Sequence, residues 1–274
     1  MKIALITDTH FGARNDNLNF NEYFYKFYED LFFPYLEEND ITTVIHLGDV
    51  MDRRKFISYR IAKDFRERFL DRFQKINLHM LVGNHDSRSE ILATFPDISC
   101  DNFGFIQYWL DYSMGRFLML DTVEEGKSWG SYCQKRLLWL RDALEDARGR
   151  NVYLFMHHPP FDVGIPCIDR IGLGIDGHKI SEVLSKHDNI RHLFFGHIHR
   201  PISGSWNGIP YSTLRGTNHQ VPLDFEALEI VPKSHEPPAY AIVFLTDAQT
   251  TVHFHDYLDN SRVKYEKKTE GRPD

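Results

Sequence analysis

Cysteine is scarce in this chain, with three residues in 274: Cys100, Cys133 and Cys167. The set is odd and widely spaced, and no pair has the separation of a zinc knuckle or a redox motif. That argues against a disulfide framework and fits a reducing compartment. Long uncharged apolar runs are also missing, so no segment reads as a membrane span. The first strand-like run begins at Lys2 and meets a candidate ligand at Asp8, which leaves no room for a cleavable signal; the expectation is a cytoplasmic protein. Positive charge is not in excess either. A formal net charge of −7 and a pI near 6.1 supply no global attraction to nucleic acid or to an acidic membrane. There is no internal repeat and no long low-complexity linker. A hydrophobic content of 42% is enough for one large core, expected over residues 1–263, with a charged tail at 264–274.

What is present is an alternation of two patterns. Lys2 to Thr7, Thr43 to Leu47, Leu78 to Val82, Val152 to Met156 and Arg191 to Phe195 are short apolar runs that read as buried strands. Between them lie helical spacings. The clearest is Phe20, Tyr23, Phe24, Phe27, Tyr28, Leu31 and Phe32, an aromatic stripe suited to core packing that Pro34 is expected to interrupt. Others run from Tyr59 to Phe73, Gln134 to Ala147 and Ile180 to His187. After Phe195, the stretches Ser203 to Trp206, Ile209 to Thr213, Ala239 to Leu245 and Thr250 to Phe254 read as strands of a second sheet that completes a sandwich.

Each apolar run of the first kind ends in metal-type ligands: Asp8-Thr9-His10, Gly48-Asp49, Gly83-Asn84-His85-Asp86, His157-His158 and Gly196-His197-Ile198-His199. In layered α/β folds ligands bind outside the carboxyl ends of strands, so these segments are expected to converge on one pocket. Singly each is weak, because a Gly-Asp pair is usually a turn and a lone histidine is usually surface or core. Together they supply carboxylate, imidazole and amide oxygen donors suited to two ions of manganese, iron, cobalt or zinc, and to hydrolytic attack at phosphorus. His158 follows His157 directly and precedes Pro159-Pro160, so one of the two histidines is expected to be a ligand. His46 lies within a strand and reads as a hydrogen-bonded core residue.

The order D-x-H, G-D, G-N-H, a later His and G-H-x-H closely resembles the calcineurin-like metallophosphoesterase superfamily over most of the chain. The resemblance implies an αββα sandwich of two mixed sheets flanked by helices. It also implies that Asp8, His10 and His199 hold one metal, Asn84, His157 and His197 the other, and that Asp49 bridges both. His85 would face substrate as the general acid.

The branch decides the substrate. Phe155 to Pro160, Gly196 to His199 and Leu214 to Pro222 resemble bacterial glycerophosphodiesterases and class III cyclic-nucleotide phosphodiesterases. That implies a small-molecule phosphodiester as substrate, with Asn84, His85 and His219 near it, and a homo-oligomer. Residues 161–178 and 221–238 would serve as cap or oligomerisation segments, and Asp169 and Arg170 would either contact substrate or pair at the surface. Gly48 to Phe56 instead resembles double-strand-break-repair nucleases, where Arg53, Arg54, Lys55 and Arg60 would bind DNA phosphates; the favoured reading of these residues is a solvated helix entry with basic side chains. The acidic balance and the later motifs favour the small diester over nucleic acid. A broad phosphomonoesterase is a further alternative.

Overall fold

The computed structural model of the protein describes residues 1–52 and 57–258. Arg53, Arg54 and Lys55, and the tail at 264–274, lie outside the described residues. Two mixed sheets face each other. The first runs β11-β10-β1-β2-β3, with β1 (Lys2–Ile6), β2 (Thr43–His46) and β3 (Asn77–Met80) parallel. The second runs β4-β5-β6-β7-β9-β8, with β5 (Gly115–Leu120), β6 (Val152–Met156), β7 (Ile190–Phe195) and β9 (Ile209–Thr213) parallel.

Period-two alternation builds the layers. On β5, Phe117 and Met119 join the core shared with the first sheet, whereas Leu118 and Leu120 turn to the outer helices. Tyr153 and Phe155 on β6 repeat the inward set, and Leu154 and Met156 the outward one. Helix Gln134–Asp146 covers the outer face with Leu137, Leu140 and Leu144, and helix Ile175–Leu184 adds Ile180 and Val183. On the other side the stripe Phe27, Tyr28, Phe32 and Phe33 is buried against the first sheet. The αββα arrangement is as expected.

Two details differ from the sequence reading. Pro34 does not stop the aromatic helix: Leu18–Phe27 widens into one π-turn at Tyr28–Phe32, and Pro34 falls in the first turn of Phe33–Glu38. The π-turn, in which the Phe33 N–H reaches back to the Tyr28 carbonyl, lies immediately before Pro34, so the regular hydrogen-bond ladder is already altered where the proline lacks its donor. The late strands also do not form one sheet together. β8 (Ile202–Trp206) and β9 extend the second sheet, which also contains β4 (Tyr108–Tyr112), while β10 (Ala239–Leu245) and β11 (Thr250–Asp256) join the first through β1.

His192 on β7 meets Ser212 Oγ at 3.0 Å and stacks on Phe194, and burial pushes its imidazole from the ordinary 6.5 down to about 4. The unfolded chain therefore takes up this proton first as pH falls, so its contribution to stability is complete above about 6.5 and is lost toward about 4. Urea denaturation at pH 7 and pH 5 should show a larger acid loss for this chain than for His192→Gln, by up to about 2 kcal/mol. Equal losses would show that another group carries the acid limb.

Candidate active site

The carboxyl ends of β1, β2, β3, β6 and β7 meet at the seam between the sheets. The residues following them turn sharply: Asp8, His10, Asp49, His197 and His199 all have φ between 42° and 67°. Aspartate and histidine tolerate the left-handed region better than branched residues, but such conformations persist only where surrounding contacts enforce them, and they cluster at functional sites. Gly48, at φ 102°, makes the close approach possible, since a Cβ there would lie 2.7 Å from both Gly83 N and His157 Nδ1.

The predicted residues come together in two linked clusters. In the first, His199 Nε2 lies 3.1 Å from Asp8 Oδ1 and 3.2 Å from His10 Nε2. In the second, His157 Nε2 lies 3.3 Å from Asn84 Oδ1, and the His157 and His197 rings are 5.1 Å apart. Asp49 Oδ2 stands between them, 3.7 Å from His10 Nε2 and 3.5 Å from His157 Nε2. The carbonyls of Leu47 and His219 accept from Nδ1 of His157 (2.8 Å) and Nδ1 of His199 (2.6 Å), which leaves Nε2 of both rings pointing inward.

The protonation pattern follows from charge. Burial, the largest influence on His157, disfavours its cation, yet Asp49, Asp8 and the Leu47 carbonyl together raise it to about 9. His199 is raised likewise, by Asp8 and the His219 carbonyl against burial. Asp8 and Asp49 are held below the ordinary carboxylate range by these imidazoles in spite of burial. His197 is pushed down to about 3, first by burial and then by His157. Two buried carboxylates thus draw protons onto two imidazoles, which is charge that bound cations would replace. The donor set fits such ions: His197 Nε2 is buried with no hydrogen-bond partner, and Asp8, His10 and Asp49 present ligand atoms within 4.8 Å of one another.

His85 is half-buried at the edge of this constellation, edge-on to His10 at 4.8 Å. Its backbone N–H donates to Asp49 Oδ1 at 2.7 Å, and its Nδ1 donates to the Asp52 carbonyl at 2.9 Å. The His219 ring packs on His10 and His199 at 5.1 and 4.6 Å. His158 also belongs to the second cluster, beside His197, with Nδ1 on Thr122 Oγ1 at 2.9 Å. His46 is the expected core residue: its Nδ1 accepts from Gly48 N and its Nε2 meets Thr9 Oγ1, stitching two ligand loops together. Asp169 and Arg170 do not converge on the site. Asp169 accepts from Val163 N, and Arg170 donates to the Leu228 carbonyl. Arg60 is engaged by Asp16.

Sequence reasoning missed two carboxylates. Asp52 lies 3.4 Å from His10 Nδ1 through Oδ1, besides supplying the carbonyl that orients His85. Asp86 accepts from Val50 N, Met51 N and Gly83 N, clamping the loops that carry Asp49 and Asn84. Asp86 closes the Gly83-Asn84-His85-Asp86 segment and Asp52 stands three residues after Asp49, but the sequence reading gave neither a role.

Comparison with known proteins agrees with this geometry. Residues 1–201 match the family model described as calcineurin-like phosphoesterase, and the chain belongs to that family. It is 34% identical over 256 residues to a probable cyclic nucleotide phosphodiesterase of Rhodopseudomonas palustris, covering 92% of this chain and 91% of that one. It is 27% identical over 270 residues to a probable glycerophosphodiester phosphodiesterase of Arcobacter nitrofigilis, covering 97% and 96%. Among solved structures, a dimetal phosphatase from Danio rerio shares the fold, with a TM-score of 0.69 at 17% identity over 94% of this chain and 97% of that one.

Proposed function

We propose that this chain is a dinuclear-metal phosphodiesterase acting on small phosphodiesters such as cyclic nucleotides or glycerophosphodiesters. The observation that carries the reading is Asp49 Oδ2 lying between the His10 and His157 clusters. Asp8, His10 and His199 would hold one ion, Asn84, His157 and His197 the other, with Asp49 shared; manganese, iron, zinc and cobalt all suit these donors. When bound, such a pair neutralises charge on phosphoryl oxygens and activates water.

The chain's own part is orientation and proton transfer. The Leu47 and His219 carbonyls fix two ligand imidazoles, and Asp52 fixes two more rings, His10 and His85. With Nδ1–H committed to the Asp52 carbonyl, His85 keeps Nε2 for the departing oxygen and, as the doubly protonated ring, would give it the Nε2 proton. Asn84 and His219 border the substrate. The similarity to relatives named as phosphodiesterases supports the diester class.

No helix among the described residues is long and apolar enough to cross a membrane. Three unpaired cysteines support a cytoplasmic setting. Exposed Leu223, Phe225, Leu228 and Ile230 in the 221–238 segment support a homo-oligomer.

The test is a metal-dependence assay on bis(p-nitrophenyl) phosphate, p-nitrophenyl phosphate, glycerophosphocholine, cyclic AMP and duplex DNA. Chelation should abolish turnover, and manganese, cobalt or zinc should restore it, with at least one small diester cleaved faster than the monoester. A preference for the monoester would make the chain a phosphomonoesterase. Salt-sensitive DNA cleavage without small-diester activity would favour the nuclease reading.

A further inference from the structure

The segment after His10 is bent in an unusual way. Gly12, Arg14, Asn15 and Asp16 all adopt left-handed φ, between 57° and 87°. Three such residues in a row, none of them glycine, are costly and need outside support. Support is present: Arg60 donates to the Asp16 carboxylate at 2.7 Å and to its carbonyl at 2.6 Å, and Asn21 donates to the Ala13 carbonyl at 3.1 Å. The bend displays the exposed Arg14 with its guanidinium over the Phe20 ring and one nitrogen 3.3 Å from His235 Nε2.

A second cation arrives from the other end of the chain. Gln220 and Ser234 pair through two backbone hydrogen bonds of 3.0 and 2.8 Å, closing the loop between them beside His219, whose ring covers His10 and His199. Lys233 precedes Ser234, and His235 follows it toward Arg14. Lys233 thus stands two residues before the His235 that meets Arg14, and desolvation pushes its ammonium down, with Asp52 pulling the other way and Arg14 adding to the fall. Asp16 is taken by Arg60 and Asp52 by His10. Among the described residues, no carboxylate lies within ion-pairing distance of Arg14 or Lys233. Like charges assembled at a cleft mouth focus potential on whatever anion approaches, and a guanidinium with free N–H groups suits phosphate or carboxylate.

We propose that Arg14 and Lys233 form a cationic lip beside the metal centre that selects phosphodiesters whose second arm carries a further anionic group, a phosphate or a carboxylate. This rests on the phosphodiesterase reading and narrows it. One arm of the substrate would reach the lip while the reacting phosphoryl group meets the Asp49 constellation.

The test uses the full metal-loaded chain and substrate pairs that differ by one anion. One pair is the p-nitrophenyl ester of thymidine 5′-phosphate with and without a 3′-phosphate; the other is glycerophosphoserine against glycerophosphoethanolamine. Wild type should favour the more anionic member of at least one pair by about tenfold in kcat/KM. The phosphate and carboxylate pairs separate the two sources of the anion. Arg14→Gln and Lys233→Ala should each shrink that ratio by about threefold or more, mainly through KM, and raised salt should shrink it too. Both side chains are exposed, and thermal melts of the variants check that the fold is retained. If wild type cleaves bis(p-nitrophenyl) phosphate but shows no preference in either pair, or if the double variant keeps the preference, the lip is wrong and the phosphodiesterase reading stands. Faster, salt-sensitive cleavage of single-stranded DNA would overturn the lip in favour of a nucleic-acid occupant. If no diester is cleaved, the phosphodiesterase reading fails and the lip with it.

Discussion

An Asp49→Ala variant is expected to lose at least one equivalent of bound metal per chain and about a thousandfold or more of kcat/KM on bis(p-nitrophenyl) phosphate. The reason is position. One carboxylate faces both clusters through Oδ2, at 3.7 Å from His10 and 3.5 Å from His157, and its Oδ1 accepts the backbone N–H of His85 at 2.7 Å. Removing it takes charge from both ion sites together and releases the segment that carries His85. It also removes a main reason that His157 stays protonated in the metal-free chain, so the buried imidazole should revert toward neutrality. Metal content by mass spectrometry, read beside the kinetics, checks the bridging role. A variant that keeps two equivalents and activity within tenfold of wild type would refute it.

The second large effect belongs to His85, and it should depend on the leaving group. His85→Asn is expected to keep both metals while losing about a hundredfold or more in kcat on a glycerophosphodiester, whose alkoxide needs a proton to depart. On bis(p-nitrophenyl) phosphate, whose leaving group departs unprotonated, the loss should be about tenfold or less. Such a split is the signature of proton donation. Equal losses on both substrates would mean that His85 only orients the phosphoryl group, and loss of metal would place it in the ion sites. The geometry supports the donor role, because Nδ1 is committed to the Asp52 carbonyl and the ring stands at the half-buried edge, outside the ligand set proposed above.

Of the strands leading into the proposed site, β1, β2, β6 and β7 were legible because they are largely buried on both faces and read as apolar runs, whereas β3 is only partly buried. Val152 to Met156 matches β6 residue for residue. Their ends also announced the site, since polar ligands directly after such runs have few other roles. The strands β4 and β5 were not legible. Phe117 to Leu120 is a short apolar run, but Asp111 and Arg116 on either side of the turn interrupt the pattern, and Arg116 is buried with Asp111 and Asp146 pairing with it from the neighbouring strand and from a helix. The pairing with Asp146, 30 residues further along the chain, leaves no local trace. The same holds for the division of the late strands: β10 reads like any apolar strand, and only its antiparallel contact with β1 assigns it to the first sheet. Asp52 and Asp86 were overlooked for a related reason, since their importance lies in what they hold and not in a ligand-like spacing.

The left-handed backbone at Asp8, His10, Asp49, His197 and His199 has a consequence for how this chain can change over time. Glycine would relax any of these positions and, on the assignment proposed above, erase a ligand in the same substitution. Random drift toward sturdier variants therefore runs straight through the site, and a descendant freed from its chemistry would gain stability by giving it up. On the proposed ligand assignment, these five positions are places where backbone ease and metal binding pull in opposite directions.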